Sequence, residues 1–244
     1  MTFVSAAPQL RALTVIISDP GKLTDYLRDD EKTMAFLRKG QGFVAIGEVI
    51  KYDAKSAADA DQWWQQTNAS IEHVTELPGV YGTGPIAVGS FVFDPNNSAE
   101  KSTLIVPRIV IGRRGENCWL TQIYRDKLDP DPLHRSAEST KPPAEAKFDT
   151  GALTSSAWQK SVANVIDLIR NNQAEKVVLA RDIIAETDTP IDTRHLVTQL
   201  ESRYPYTWVY SVDGLIGASP ELLVRLRGGL VTSRVLAGTV NRSN

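Results

Sequence analysis

Five short runs of β-branched and other apolar residues fall within the first 124 positions, and they commit that half of the chain to sheet. They are LRALTVIIS (10–18), FVAIGEVIKY (43–52), IAVGSFVFD (86–94), STLIVPRIVIG (102–112) and CWLTQIY (118–124). Side chains of these types fit a pleated, half-buried surface, so each run reads as a strand. The links are mostly rich in turn residues. GRRGEN (112–117) sets two glycines between two of the runs and reads as a hairpin connection, which makes Arg113 and Arg114 a solvated turn rather than a phosphate patch. One link is longer, and in it Trp63, Trp64 and Ile71 fall near helical spacing, a stripe expected to pack into the core.

Residues 125–157 carry Pro130, Pro132, Pro142 and Pro143 with few large apolar side chains, the composition of a surface connection. The chain accordingly divides into a strand-rich part (1–124), a connecting segment (125–157) and a third part (158–244). Past the seam, Trp158, Val162, Val165, Leu168 and Ile169 line one face of a helix with Ser155 or Ser156 as its cap. EKVVLARDII (175–184) then reads as a buried strand that opens on an ammonium group, Lys176. A second helix follows, capped by Asp192 with its face at Leu196, Val197 and Leu200, and after it come strand, turn, strand, turn, strand.

A net charge of −2 spread over 244 residues gives no electrostatic footprint for nucleic acid or an anionic membrane, and points instead to a small neutral or acidic ligand. Cys118 is the single cysteine and cannot form an internal disulfide; no stretch approaches the ~18 apolar residues of a membrane span. The expectation is a soluble cytoplasmic protein. GTGPIAVG (82–89) begins like a nucleotide loop but leads into a strand where a phosphate loop must open a helix, so its glycines are read as turn residues. His73, His134 and His195 have no metal-ligand spacing, and no strained Ser motif accompanies a possible Ser-His-Asp set.

Three stretches near the end each place a polar or flexible group at a strand rim: Lys176 in KVVLAR, Glu221 in GASPELLV and Gly238 in LAGT. Alone, each has an ordinary reading, as a lysine guarding a strand end, a turn carboxylate and a turn glycine. Together, in this order and spacing, they resemble the chorismate-binding enzymes, among them isochorismate synthase, salicylate synthase, anthranilate synthase component I and aminodeoxychorismate synthase. The helix near Trp158 and the earlier GFVAIGEV and GSFVFDP extend the resemblance to nearly the whole chain.

The resemblance implies an α+β fold in which two antiparallel sheets pack face to face beneath flanking helices, here its N-terminal portion. Within the family, members that deliver ammonia carry glutamine where this chain has Lys176, and those that add water carry lysine, so the implied activity is that of isochorismate synthase, serving menaquinone or siderophore biosynthesis. Salicylate synthase or another chorismate-utilising enzyme is the alternative, and a non-catalytic binding or assembly module on the same scaffold is the alternative of another class. The implied roles are Lys176 as general base, Glu221 as general acid, and Ala237, Gly238 and Thr239 as contacts to chorismate. Gly238 has no Cβ and would let a ligand carboxylate approach backbone N–H groups. With ordinary pKa values of ~10.4 for lysine and ~4.3 for glutamate, the required neutral lysine and protonated glutamate coexist at pH 7 in about one molecule per million. Burial must therefore shift both, and the groups must stand on opposite faces of the ring, since direct contact would stabilise both charges. The family's Mg²⁺ ligands lie downstream of LAGT, and this chain runs only five residues past Thr239. A fragment without the metal ligands, inactive by itself, is the expectation; the oligomeric state is open.

Overall fold

Two of the apolar runs are each interrupted by a residue that bends the chain out of one sheet, and these breaks set the architecture. The computed structural model describes residues 9–29, 31–136, 138–236 and 238. In chain order the strands are β1 (Arg11–Ile16), β2 (Thr33–Arg38), β3 (Gln41–Ile46), β4 (Ile50–Ala54), β5 (Glu72–Thr75), β6 (Val88–Ser90), β7 (Ser102–Val106), β8 (Ile109–Arg114), β9 (Asn117–Tyr124), β10 (Lys147–Thr150), β11 (Ile183–Glu186), β12 (Trp208–Val212), β13 (Leu215–Ser219), β14 (Leu222–Arg227) and β15 (Leu230–Arg234). The helices are α1 (Ala57–Ala69), α2 (Ser155–Arg170) and α3 (Thr193–Arg203), with a 3-10 turn at Leu23–Tyr26. None of them is long and apolar enough to cross a membrane. The chain forms two compact units, one from the stretch up to Thr140 together with that from Thr193 onward, the other from Lys141–Asp192.

In the first unit the run 43–52 is not one strand, because Gly47 takes a φ of 71° and a methyl there would lie 3.1 Å from Arg108 Cβ and Glu31 Oε2. Its partner run is broken opposite this bend by Pro107, which has no N–H to give to a ladder. Below the break β3 pairs with β8; above it β4 pairs with β7. Both chains thus leave one sheet for another at a shared corner. One sheet has the order β13-β12-β2-β3-β8-β9-β1-β5, antiparallel except at the parallel β1–β5 edge, and the other is β4-β7-β6. The expected hairpin is β8–β9, and its two-residue turn opens on Gly115 at φ 59°.

Alternation along the strands separates two cores. Val44, Ile46, Ile109, Ile111 and Val209 pack with Leu23, Tyr26, Leu27 and α3 Val197 on one face, while Met34, Ala45, Val110 and Val212 meet Ile105 of the smaller sheet on the other. The α+β design of face-packed sheets with helices is present. Trp63 and Trp64 do lie against the core, beside Leu10, Ile71 and Val106. Ser56 Oγ starts α1 by accepting the Asp59 N–H at 3.1 Å.

Gly112 stands opposite Trp119 in the β8–β9 register, and a methyl at Gly112 would lie 2.2 Å from the indole ring, which is only 1% exposed. Gly112→Ala is expected to cost about 1–3 kcal/mol through overpacking. Urea denaturation checks this: a midpoint equal to that of the parent would mean that the ring moves aside freely.

The second unit holds β10, α2 and β11. α2 is capped one residue earlier than the sequence suggests, by Thr154 Oγ1 accepting from Ala157 N–H at 3.2 Å. It ends with Asn172 at φ 55°, where Gln173 N–H donates to Leu168 O (2.9 Å) and Asn172 N–H to Ile169 O (3.1 Å). Its side chains Ile166, Leu168 and Ile169 are exposed. The strand expected over 175–184 is corrected: among the described residues only Ile183 and Ile184 of it join a ladder, because the partner found there, β10, is four residues long. Asp182 closes the ladder by accepting the Ala152 N–H at 3.0 Å, an approach that leaves no room for a side chain at Gly151.

Candidate active site

Glu221 sits where β13 ends and β14 begins. Ser219 Oγ accepts the Glu221 N–H at 3.1 Å, a local turn that fixes the backbone after Pro220. The Leu222↔Arg234 pair closes the open end of the β14–β15 hairpin, with a register shift between Leu222 and Arg225. Glu221 Oε1 then accepts the Leu236 N–H at 3.2 Å, so the carboxylate ties the SPE turn to the start of the LAGT stretch. Two of the three motifs therefore meet at one end of one hairpin. Gly238 is exposed, and a methyl there would meet no atom of the described residues within 4 Å. Ala237 and Thr239 lie outside the described residues.

Lys176 belongs to the other unit. It stands exposed in a stretch that has no ladder partner among the described residues, followed by exposed Val177, Val178 and Leu179. The expected burial at the head of an apolar strand is not observed, for the same reason that the strand is short. Glu221 is exposed as well.

The other polar clusters have structural explanations. Arg108 Nη2 lies 2.7–2.8 Å from both Glu31 oxygens while its Nη1 pairs with Asp129; Arg28 adds a 2.9 Å bond to Glu31 and one of 3.2 Å to the Pro132 carbonyl. Burial would raise the Glu31 pKa, but Arg108 and then Arg28 hold it below the ordinary carboxylate value. This network staples the start of the connecting segment to the sheet corner. His73 Nε2 is 2.9 Å from Thr14 Oγ1, over Gly84, and partial burial of the ring pushes its pKa down. Cys118 is a buried thiol whose pKa burial raises, which makes it unreactive. One cluster escaped the sequence reading, the arginines around Tyr81; the signal was Arg225 and Arg227 two apart on a strand, and so on one face.

The family model described as chorismate binding enzyme matches residues 8–244. Isochorismate synthase MenF of Bacillus subtilis is 24% identical over 229 residues, covering 83% of this chain and 48% of the relative. Isochorismate synthase EntC of Escherichia coli is 27% identical over 214 residues, covering 85% and 50%. The solved structure of MenF, the menaquinone-specific isochorismate synthase from Escherichia coli, superposes with a TM-score of 0.58 over 91% of this chain and 53% of that one at 16% identity, a likeness of fold. This chain spans about half the length of the curated relatives it matches. With the family match running through nearly all of its residues and the fold shared, the chain belongs to the chorismate-binding enzyme family.

Proposed function

We propose that this chain contributes the base and the acid of an isochorismate synthase, in which chorismate becomes isochorismate for menaquinone or siderophore synthesis. The observation that carries the reading is the ordered trio KVVLAR, GASPELL and LAGT with lysine, not glutamine, at 176, in a chain whose relatives include isochorismate synthases. Neutral Lys176 takes a proton from water as the water oxygen bonds to C2. The ring double bonds shift, the C4–O bond breaks, and Glu221 gives its proton to the departing hydroxyl, which leaves as water. One water enters and one leaves, so the reaction is an isomerisation. The proton gained by Lys176 and lost by Glu221 must then be exchanged to reset the pair. The hydrogen bond from Leu236 N–H aims the Glu221 carboxyl while leaving its other oxygen for the substrate. Both side chains are exposed, so the exclusion of water around them falls to the substrate and to the polypeptide the relatives carry in addition.

The family resemblance also implies Mg²⁺. Octahedral Mg²⁺ is held through carboxylate oxygens and water, and no group of three or more Asp, Glu, His or Cys side chains converges among the described residues. No step is therefore routed through the ion. Titrating the 244-residue chain with Mg²⁺ by calorimetry is expected to give no saturable site; a single well-defined site would contradict the assignment of the ligands to other residues.

The functional reading is tested by incubating the whole protein with chorismate and resolving products by chromatography. Isochorismate alone is expected. Salicylate with pyruvate, or an aminated product formed only with ammonia, would overturn it.

A further inference from the structure

Arg113 and Arg114 read in the sequence as two residues of one solvated turn. Both instead lie in β8, and their side chains part: Arg113 Nη2 contacts the Gly21 carbonyl and lies 3.3 Å from Asp19, whereas the Arg114 guanidinium lies 4.6 Å over the Tyr81 ring centroid. Arg227, the last residue of β14, reaches the same ring at 5.7 Å. Arg225 shares its face of the strand, and no register shift separates the two. Burial, followed by the nearby charges of Arg227 and Arg225, lowers the Arg114 pKa despite the Tyr81 contribution, so the three guanidinium groups do share one field. Among the described residues none of the three has a carboxylate within ion-pair distance. Arg114 and Arg227 border a cleft of about 780 Å³ whose lining includes Gly79, Tyr81, Glu116 and Gly228, with Glu116 the sole acidic residue in it. Gly82, at φ 85°, lets the Tyr81 loop pass under Arg114, since a methyl there would lie 3.0 Å from Nη2.

Like charges gathered at one aromatic ring repel, and an anion between them offsets that repulsion. Arg114 and Arg227 in the lining outnumber its one carboxylate, Arg225 adds a third guanidinium on the strand face of Arg227, and forked N–H donors match the oxygens of a carboxylate or phosphate. The cleft is also larger than an inorganic ion needs and lies in the range of small-molecule sites. We propose that it binds a small organic dianion through its carboxylate or phosphate oxygens. The place is the turn end of the β14–β15 hairpin, six strand residues or about 20 Å from Glu221. The inference does not rest on the isochorismate synthase reading.

The test titrates the 244-residue chain separately with succinate, inorganic phosphate and, at matched ionic strength, chloride, following the arginine Nε–H resonances by NMR. Saturable shifts at Arg114 and Arg227 are expected with at least one of the dianions and not with chloride; whichever binds more tightly identifies carboxylate or phosphate as the preferred group. Arg114→Gln and Arg227→Gln should each weaken binding roughly 5-fold or more, while Arg11→Gln, in the β1 ion pair with Glu72, should not. If Arg114→Gln perturbs the amide spectrum, the exposed Arg227→Gln variant decides. Shifts that chloride reproduces, or an equal loss in Arg11→Gln, would reduce the effect to general screening and overturn the proposal.

Discussion

Replacing Lys176 with glutamine in the whole enzyme is expected to lower the rate of isochorismate formation by a factor of about 10² or more, with KM for chorismate nearly unchanged. The loss is that of a group moving a proton in the transition state, not one that binds the ground state equally. Lys176 is exposed and its stretch forms no ladder, so the substitution should leave stability within about 0.5 kcal/mol. Lys176→Arg sharpens the comparison. Arginine keeps the charge and would guard a strand end as well as lysine, yet it does not deprotonate and cannot serve as the base. Equal inactivity of both variants at unchanged melting temperature is the expected result; near-parental turnover in Lys176→Arg would return this residue to an edge-guarding role.

For Glu221 the expected change is a collapse of turnover by about 10²–10⁴ in Glu221→Gln, with folding almost intact. A glutamine oxygen can still accept the Leu236 N–H that Glu221 Oε1 takes at 3.2 Å, so the tie between the SPE turn and the LAGT stretch survives in neutral form. What disappears is the transferable proton. A purely structural carboxylate would behave otherwise: losing the charge-assisted component of that bond would cost up to about 1 kcal/mol, and activity would fall only with the folded fraction. Rates and thermal melts of the same variant separate the two. A clearly lower unfolding midpoint with parental activity per folded molecule would sink the acid assignment.

Much of the fold could be read from local chemistry. The two-glycine signal of GRRGEN gave the β8–β9 hairpin, and Trp63, Trp64 and Ile71 gave a core-facing helix and its exit. Where the reading failed, a long-range partner decided. FVAIGEVIKY and STLIVPRIVIG look continuous because every residue in them favours a strand; their division appears only when Gly47 and Pro107 are seen to face each other across a pair of strands. EKVVLARDII has the composition of a buried strand, but burial needs neighbours, and β10 supplies four residues of them. The site was legible as motifs rather than as geometry. That Glu221 reaches Leu236 follows from a hairpin closing fifteen residues later, which spacing alone does not reveal. The arginines around Tyr81 come from two distant strands, β8 and β14, and were hidden by the turn-like look of Arg113 and Arg114.

The proposed acid–base pair has one chemical signature that no binding module shares: the oxygen at C2 of the product comes from solvent, and the oxygen at C4 of the substrate is lost. Running the whole enzyme with chorismate in H₂¹⁸O and analysing the product by mass spectrometry and ¹³C NMR tests this directly. The predicted result is isochorismate carrying a single ¹⁸O at C2, at a rate that falls by about 10² or more in both Lys176→Gln and Glu221→Gln. Isochorismate with unlabelled oxygen at C2 would mean that the hydroxyl migrates without attack by water, and chorismate left unconsumed would mean that the scaffold binds without catalysing; either would contradict the account.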